Sequence, residues 1–202
     1  MTYDSVMEKL AQDVEYFSRL SYERFLVRAA GGNISVRLPD NAGFLITPTT
    51  VSLRDIRADE LVIVDMAGRK IGGPGALKAS KEVNLHLAVY ALRPEARAVV
   101  HVHPPYATAF ATLEGNFPLP TSQARAKVGP IPIAAYADPG TLALVRNIEA
   151  ELQREGFAGK AVLLRDHGLI TWDTSLSLAF DTAELVEETA VIAAAAAGAS
   201  QR

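Results

Sequence analysis

Two of the chain's four histidines, His101 and His103, stand two residues apart at the end of the apolar run Ala98-Val99-Val100. On an extended strand residues i and i+2 share a face, with Cα atoms roughly 6.5 Å apart, so both imidazoles can turn toward one point. That geometry suits one metal ion. His167 ends a second apolar run, Ala161 to Leu164, far away in sequence but free to be near in space. Three imidazoles with one open position form the pattern of a catalytic zinc site, where the vacant position takes water or substrate. Taken alone, an H-x-H pair in a strand fits two half-buried, hydrogen-bonded histidines equally well.

Composition narrows the chemistry. The chain has no cysteine, which removes disulfides, thiolate nucleophiles and Cys-based zinc sites and leaves histidine and carboxylate as the strong metal ligands. A net charge of −3 gives no electrostatic footprint for nucleic acid or an anionic membrane, so no such partner is expected. A small polar or weakly charged ligand fits better. With 202 residues, 49% of them hydrophobic, the chain can bury roughly 70% of its unfolded surface, and a single domain over 1–202 is expected. Residues 1–9 carry acids and no apolar core of a signal peptide, and the alanine run 190–197 is too short to span a bilayer. The expectation is a soluble cytoplasmic protein.

The elements that must carry these residues follow from periodicity. Val6, Leu10, Val14, Phe17 and Leu20 recur at helical spacing and predict an opening helix of about 20 residues. Gly31-Gly32-Asn33 turns into a strand at 34–37, whose hairpin partner is 43–47 across Pro39-Asp40-Asn41. A strand at 61–65 returns through Lys70-Ile71 to the loop Gly72-Gly73-Pro74-Gly75. Ser80 is a candidate cap for a helix running to about Leu92, and the histidine strand follows at roughly 97–103. A short helix is expected from Ala107 to Leu113, then an irregular segment over 114–130. Pro139 marks the first turn of a helix ending near Arg154, with Asp138 as its cap. Strands at 161–165 and 169–172 flank His167, and Ser175 caps the last helix. Interleaved strands and helices with two hairpins predict an α/β fold: three layers, α/β/α, with a central mixed, mainly antiparallel sheet covered by helices on both faces.

Five ordered blocks, Gly31-Gly32-Asn33-Ile34-Ser35-Val36-Arg37, Leu45-Ile46-Thr47-Pro48-Thr49, Ser80-Lys81-Glu82, His101-Val102-His103 and Asp166-His167-Gly168, resemble the class II aldolase/adducin family. The likeness spans about residues 5 to 195 and is nearest to the fuculose-phosphate aldolase branch. Together the blocks are far more specific than any one motif. The resemblance implies that His101, His103 and His167 bind Zn²⁺ or another divalent transition metal. It also makes Glu82 the acid/base carboxylate beside the metal. Without the family match, Glu82 reads as a solvated carboxylate at a helix N-terminus. His86, one turn on, reads as a core histidine or as support behind the ligands.

By the same resemblance, Gly32, Asn33, Thr49, Thr50, Ser80 and Lys81 cradle the anionic end of a small-molecule substrate. Glycine-turn and helix-terminal N–H groups favour an anion, and hydroxyls add donors; each fragment alone reads as a turn or a cap. Lys81 departs from the fuculose pattern, which has a serine there. The fuculose-type enzymes also use a tyrosine borrowed across a subunit interface and another in the tail. An ungapped count places Ser122 at the first position, and 197–202 contains no tyrosine. Tyr106 and Tyr136 are candidates to replace them in space. The resemblance thus implies a zinc-dependent lyase cleaving a C–C bond of a sugar phosphate or related keto compound through a metal-stabilised enediolate, and a homotetramer with sites near its interfaces. Decarboxylation of a sugar-acid phosphate, epimerisation and dehydration use the same kind of centre. The adducin head is a non-enzymatic interaction module on this fold, and an intact set of three histidines and a glutamate favours an enzyme.

Overall fold

Thr2 caps the first helix, α1 (Tyr3–Glu23), by accepting a hydrogen bond from the Ser5 N–H, and the predicted apolar stripe faces the sheet. A computed structural model describes residues 2–113 and 115–199. Glu114, in the segment expected to be irregular, and the polar tail 200–202 lie outside the described residues.

The strands are β1 (Asn33–Arg37), β2 (Gly43–Ile46), β3 (Val62–Asp65), β4 (Lys70–Gly72), β5 (Ala98–Val102), β6 (Ile133–Ala134), β7 (Ala161–Leu164) and β8 (Gly168–Asp173). They form one eight-stranded sheet in the order β4-β3-β2-β1-β5-β8-β7-β6. All neighbours pair antiparallel except β6 and β7, which are parallel. The remaining helices are α2 (Val83–Leu92), α3 (Pro105–Thr112), α4 (Leu142–Leu152) and α5 (Leu176–Ala199). Alternation along the strands divides the core. Ile34, Val36, Val100, Val102 and Leu169 pack with α1, α3 and α5, whereas Phe44, Val99, Ile170 and Trp172 pack with α2 and α4. This is the three-layer α/β/α arrangement with a mixed, mainly antiparallel sheet.

Several boundaries move from their expected places. Ser80 closes a turn, its Oγ accepting from the Glu82 N–H at 3.2 Å, and Glu82 itself occupies the N-cap of α2. Helix α4 starts at Leu142 behind a Thr141 cap, because Asp138-Pro139-Gly140 makes a turn in which Gly140 has φ +78°. The stretch 124–128 is a π-helical turn, and the two-residue strand β6 is too short for periodicity to register. Ser175 does cap the last helix, its Oγ accepting from the Leu178 N–H at 3.3 Å.

Candidate active site

His101 lies in β5 on the same face as Val99, turned toward α2, and is fully buried. Its Nδ1 stands 3.0 Å from the Leu169 carbonyl of β8. A carbonyl only accepts, so Nδ1 carries the hydrogen and neutral His101 presents a lone pair at Nε2. His103 follows just past the strand, its N–H donating to the Leu26 carbonyl at 2.9 Å, and its Nε2 approaches His101 Nε2 at 3.0 Å.

His167 reaches the same point from the β7–β8 turn. Asp166 takes the left-handed conformation, φ +55°, and the His167 N–H bonds to the Leu164 carbonyl. Gly168 then lets β8 press against β5: a Cβ there would stand 2.5 Å from the Val102 carbonyl oxygen and 2.7 Å from the His103 ring. Gly32 has the same function on the other side. Its φ is +77°, and a Cβ would meet the His101 carbonyl oxygen at 2.8 Å.

Glu82 completes the cluster. Its Oε2 lies 3.1 Å from His101 Nε2 and 3.0 Å from Asn33 Nδ2, and its Oε1 lies 3.3 Å from His167 Nε2. Burial alone pushes the Glu82 carboxyl up, but the imidazoles of His101 and His167 and the Asn33 amide outweigh it and hold Glu82 below the ordinary carboxylate range. Burial and its imidazole neighbours bring His103 down to about 3, and burial with His101 beside it brings His167 down to about 4. His101 goes the other way: burial opposes its charge, yet the Glu82 carboxylate prevails and raises it.

The arrangement holds more lone pairs than protons. Glu82 Oε1 and His167 Nδ1 are buried without a hydrogen-bond partner. Donors bound at about 2.0–2.1 Å to one tetrahedral ion stand about 3.3 Å apart; the His101 and His103 Nε2 atoms stand 3.0 Å apart, and the ligand atoms of all three imidazoles lie within 4.8 Å of one another. Two depressed imidazoles and a third with its Nε2 fixed inward form a donor set that fits a divalent transition metal, with the Glu82 carboxylate beside it. Among the described residues, His101, His103 and His167 are the one group of three or more such side chains able to share an ion.

The cluster opens into a cleft of about 400 Å³. Gly32, Asn33, Thr49, Thr50, Ser80 and Lys81 line it, as do Glu82, His103 and His167, with His101 behind them. The threonine loop and the serine turn are tied together: Pro48 bridges to Ala79, and the Thr49 N–H bonds to the Lys78 carbonyl at 2.9 Å. Pro139 and Gly140 also line the cleft, and sequence reading missed them by taking Pro139 into a helix. The Pro-Gly pair was the available signal. No tyrosine is among the lining residues. Tyr106 and Tyr136 are about half exposed, and the Tyr136 hydroxyl donates to Asp138 at 2.8 Å. Ser122 is exposed and stands just before the π-helical turn.

The profile of the class II aldolase and adducin N-terminal domain matches residues 12–194, and the chain belongs to this family. The 3-oxo-tetronate 4-phosphate decarboxylase of Haemophilus influenzae is 38% identical over 177 residues, covering 85% of this chain and 80% of that protein. An L-fuculose phosphate aldolase of Methanococcus maripaludis is 33% identical over 172 residues, covering 85% and 89%. A solved L-fuculose 1-phosphate aldolase superposes with a TM-score of 0.85 at 28% identity, covering 94% of this chain and 87% of that one. Among the described residues no helix is long and apolar enough to cross a membrane.

Proposed function

We propose that this protein is a metal-dependent aldehyde-lyase of the class II aldolase type, acting on a small sugar phosphate or related keto compound. One observation carries the reading: a carboxylate, Glu82, is held 3.1–3.3 Å from two of three clustered imidazoles at a cleft of substrate size. His101, His103 and His167 would hold Zn²⁺ or a similar divalent ion. Such an ion supplies Lewis-acid stabilisation to the oxyanion that develops as the C–C bond breaks, worth several kcal/mol. Glu82 exchanges the proton at the substrate carbon, since it is the carboxylate of the cluster and lines the cleft. The Gly32 turn, Thr49, Thr50, Ser80 and Lys81 receive the anionic end, and Asn33 contributes its amide edge to the same wall.

Decarboxylation is the second reading. Lys81 places an ammonium group where the fuculose pattern has a hydroxyl, and the cleft wall of one chain lacks the tyrosine that aldol cleavage uses in those enzymes. The Haemophilus relative supports it. Metal-loaded protein assayed on ketose 1-phosphates and 3-oxo sugar-acid phosphates separates the two: aldehyde release supports the aldolase and carbon dioxide release the decarboxylase. Neither product from the whole set rejects both. The homotetramer and the cytoplasmic location belong to the same reading, and light scattering on the purified protein tests the first.

A further inference from the structure

Asn33, Ser35 and Arg37 occupy the α2 side of β1, and all are buried. Asn33 and Ser35 enter one hydrogen-bonded line, and Arg37 packs at its far end. The Glu82 carboxylate can only accept, so the Asn33 contact to it at 3.0 Å is made by the Nδ2 donor. That turns Asn33 Oδ1 toward His86 Nε2, 2.6 Å away, and an amide oxygen there requires a hydrogen from the ring. His86 therefore carries its hydrogen on Nε2 and offers a lone pair at Nδ1, where Ser35 Oγ stands at 2.7 Å. Ser35 donates to the ring and accepts from the Tyr90 hydroxyl at 2.8 Å. Every hydrogen in the line points toward Glu82.

The line cannot easily turn. Phe44 stacks against the His86 ring with 15° between the planes. At the far end the Arg37 guanidinium lies 4.4 Å over the Tyr90 ring and donates to the Tyr90 carbonyl at 2.9 Å. Burying four polar side chains is costly unless all are satisfied, and here each is.

We propose that Asn33 and His86 are positioning residues for Glu82. His86 fixes which way the Asn33 amide faces, and Asn33 then holds Oε2 so that the carboxylate meets the substrate carbon from a single orientation. Ser35 and Tyr90 select the His86 tautomer. The kinetic consequence rests on the lyase reading; the direction of the hydrogen bonds does not.

Two measurements test this. Long-range ¹H–¹⁵N spectra of labelled full-length protein at neutral pH, assigned with His86→Gln, should show His86 with its hydrogen on Nε2, with or without Zn²⁺. The opposite tautomer overturns the proposal. In kinetics, Asn33→Leu, similar in size and uncharged but lacking the donor, should lower kcat about 10–100-fold with KM changed less than about threefold and metal content unchanged. His86→Leu should do the same, and His86→Gln, which keeps an N–H for Asn33, should recover about tenfold of that loss. Unchanged kcat in Asn33→Leu overturns the proposal, and a loss confined to KM assigns Asn33 to the anion cradle instead. If His86→Leu fails to fold, Asn33→Leu and the spectra decide. If the wild type turns over no candidate substrate, the lyase reading has failed and the tautomer still decides this one.

Discussion

Glu82 and the four histidines share very little solvent, and that scarcity determines how each behaves. Replacing Glu82 by glutamine keeps the size and removes the basic oxygen. Steady-state kinetics should then show kcat down about 10²–10⁴-fold, with elemental analysis still finding about one ion per chain on the three imidazoles. A Glu82→Gln enzyme of normal rate would remove Glu82 from the chemistry. The histidines also make stability depend on pH. His86 and His103 are brought down to about 3 and His167 to about 4 by burial above all, so each stays neutral in the folded chain at pH 5 and takes a proton on unfolding. Their contribution is fully present above about pH 6.5 and is lost as the pH falls toward those folded values. His101 opposes them, being raised beside Glu82 and adding stability at the acid end. Three against one gives a net loss on acidification. Metal-stripped protein should melt at least ~4 °C lower at pH 5 than at pH 7.5, at about 2–4 °C per kcal/mol for a chain of this length. A flat or rising midpoint contradicts this burial account.

The strands and turns bring these side chains together by close backbone approach, nowhere more than where β8 meets β5. Gly168→Ala would set a methyl group 2.5 Å from the Val102 carbonyl oxygen, with the His103 ring at 2.7 Å. Backbone cannot yield as a flexible side chain does, so the end of β8 must shift, at roughly 1–3 kcal/mol. His103 and His167 should then separate, and zinc titration should show at least about tenfold weaker binding; wild-type affinity in Gly168→Ala would mean the strand end is softer than its contacts imply. Much of this was readable beforehand. The H-x-H pair declared its shared face by the two-residue period of a strand, and the apolar stripes placed α1 and α5 correctly. The misses have physical causes. Ser80 is a good capping residue, but the chain still has to turn after it, so the cap falls on Glu82. Asn33, Ser35 and Arg37 alternate with Ile34 and Val36 in the pattern that ordinarily marks a solvent-facing side. All five are buried, because His86, Tyr90 and Glu82 on and ahead of α2 satisfy the polar ones, and period alone cannot distinguish water from a polar helix face.

The site lies at the ends of the central strands β1, β5 and β8 and opens into a surface cleft, and this bears on what one copy can do alone. The cleft supplies clustered imidazoles, a carboxylate and a lysine, yet no tyrosine hydroxyl lines it. Tyr136 sits close by in sequence to Pro139 and Gly140, but its hydroxyl is committed to Asp138, which raises it and makes it a poorer acid. Large apolar groups remain exposed: Leu142 is 63% exposed at the start of α4, immediately after the cleft turn, and Leu113 is 56% exposed at the end of α3. Singly exposed leucines are ordinary; one beside a cleft that no tyrosine lines fits the proposed homotetramer, in which a second copy would complete the wall. On the proposed homotetramer, association would be part of catalysis, and mass action would make activity depend on protein concentration. Specific activity should fall at least about fivefold on dilution to the point where light scattering shows monomers, while each chain keeps its metal ion. Leu142→Glu should bring that fall to higher concentration, because a carboxylate buried against a partner costs more than it gains. If isolated monomers retain full specific activity, the proton donor lies within the chain, and Ser122, Tyr106 and Tyr136 become the residues to substitute.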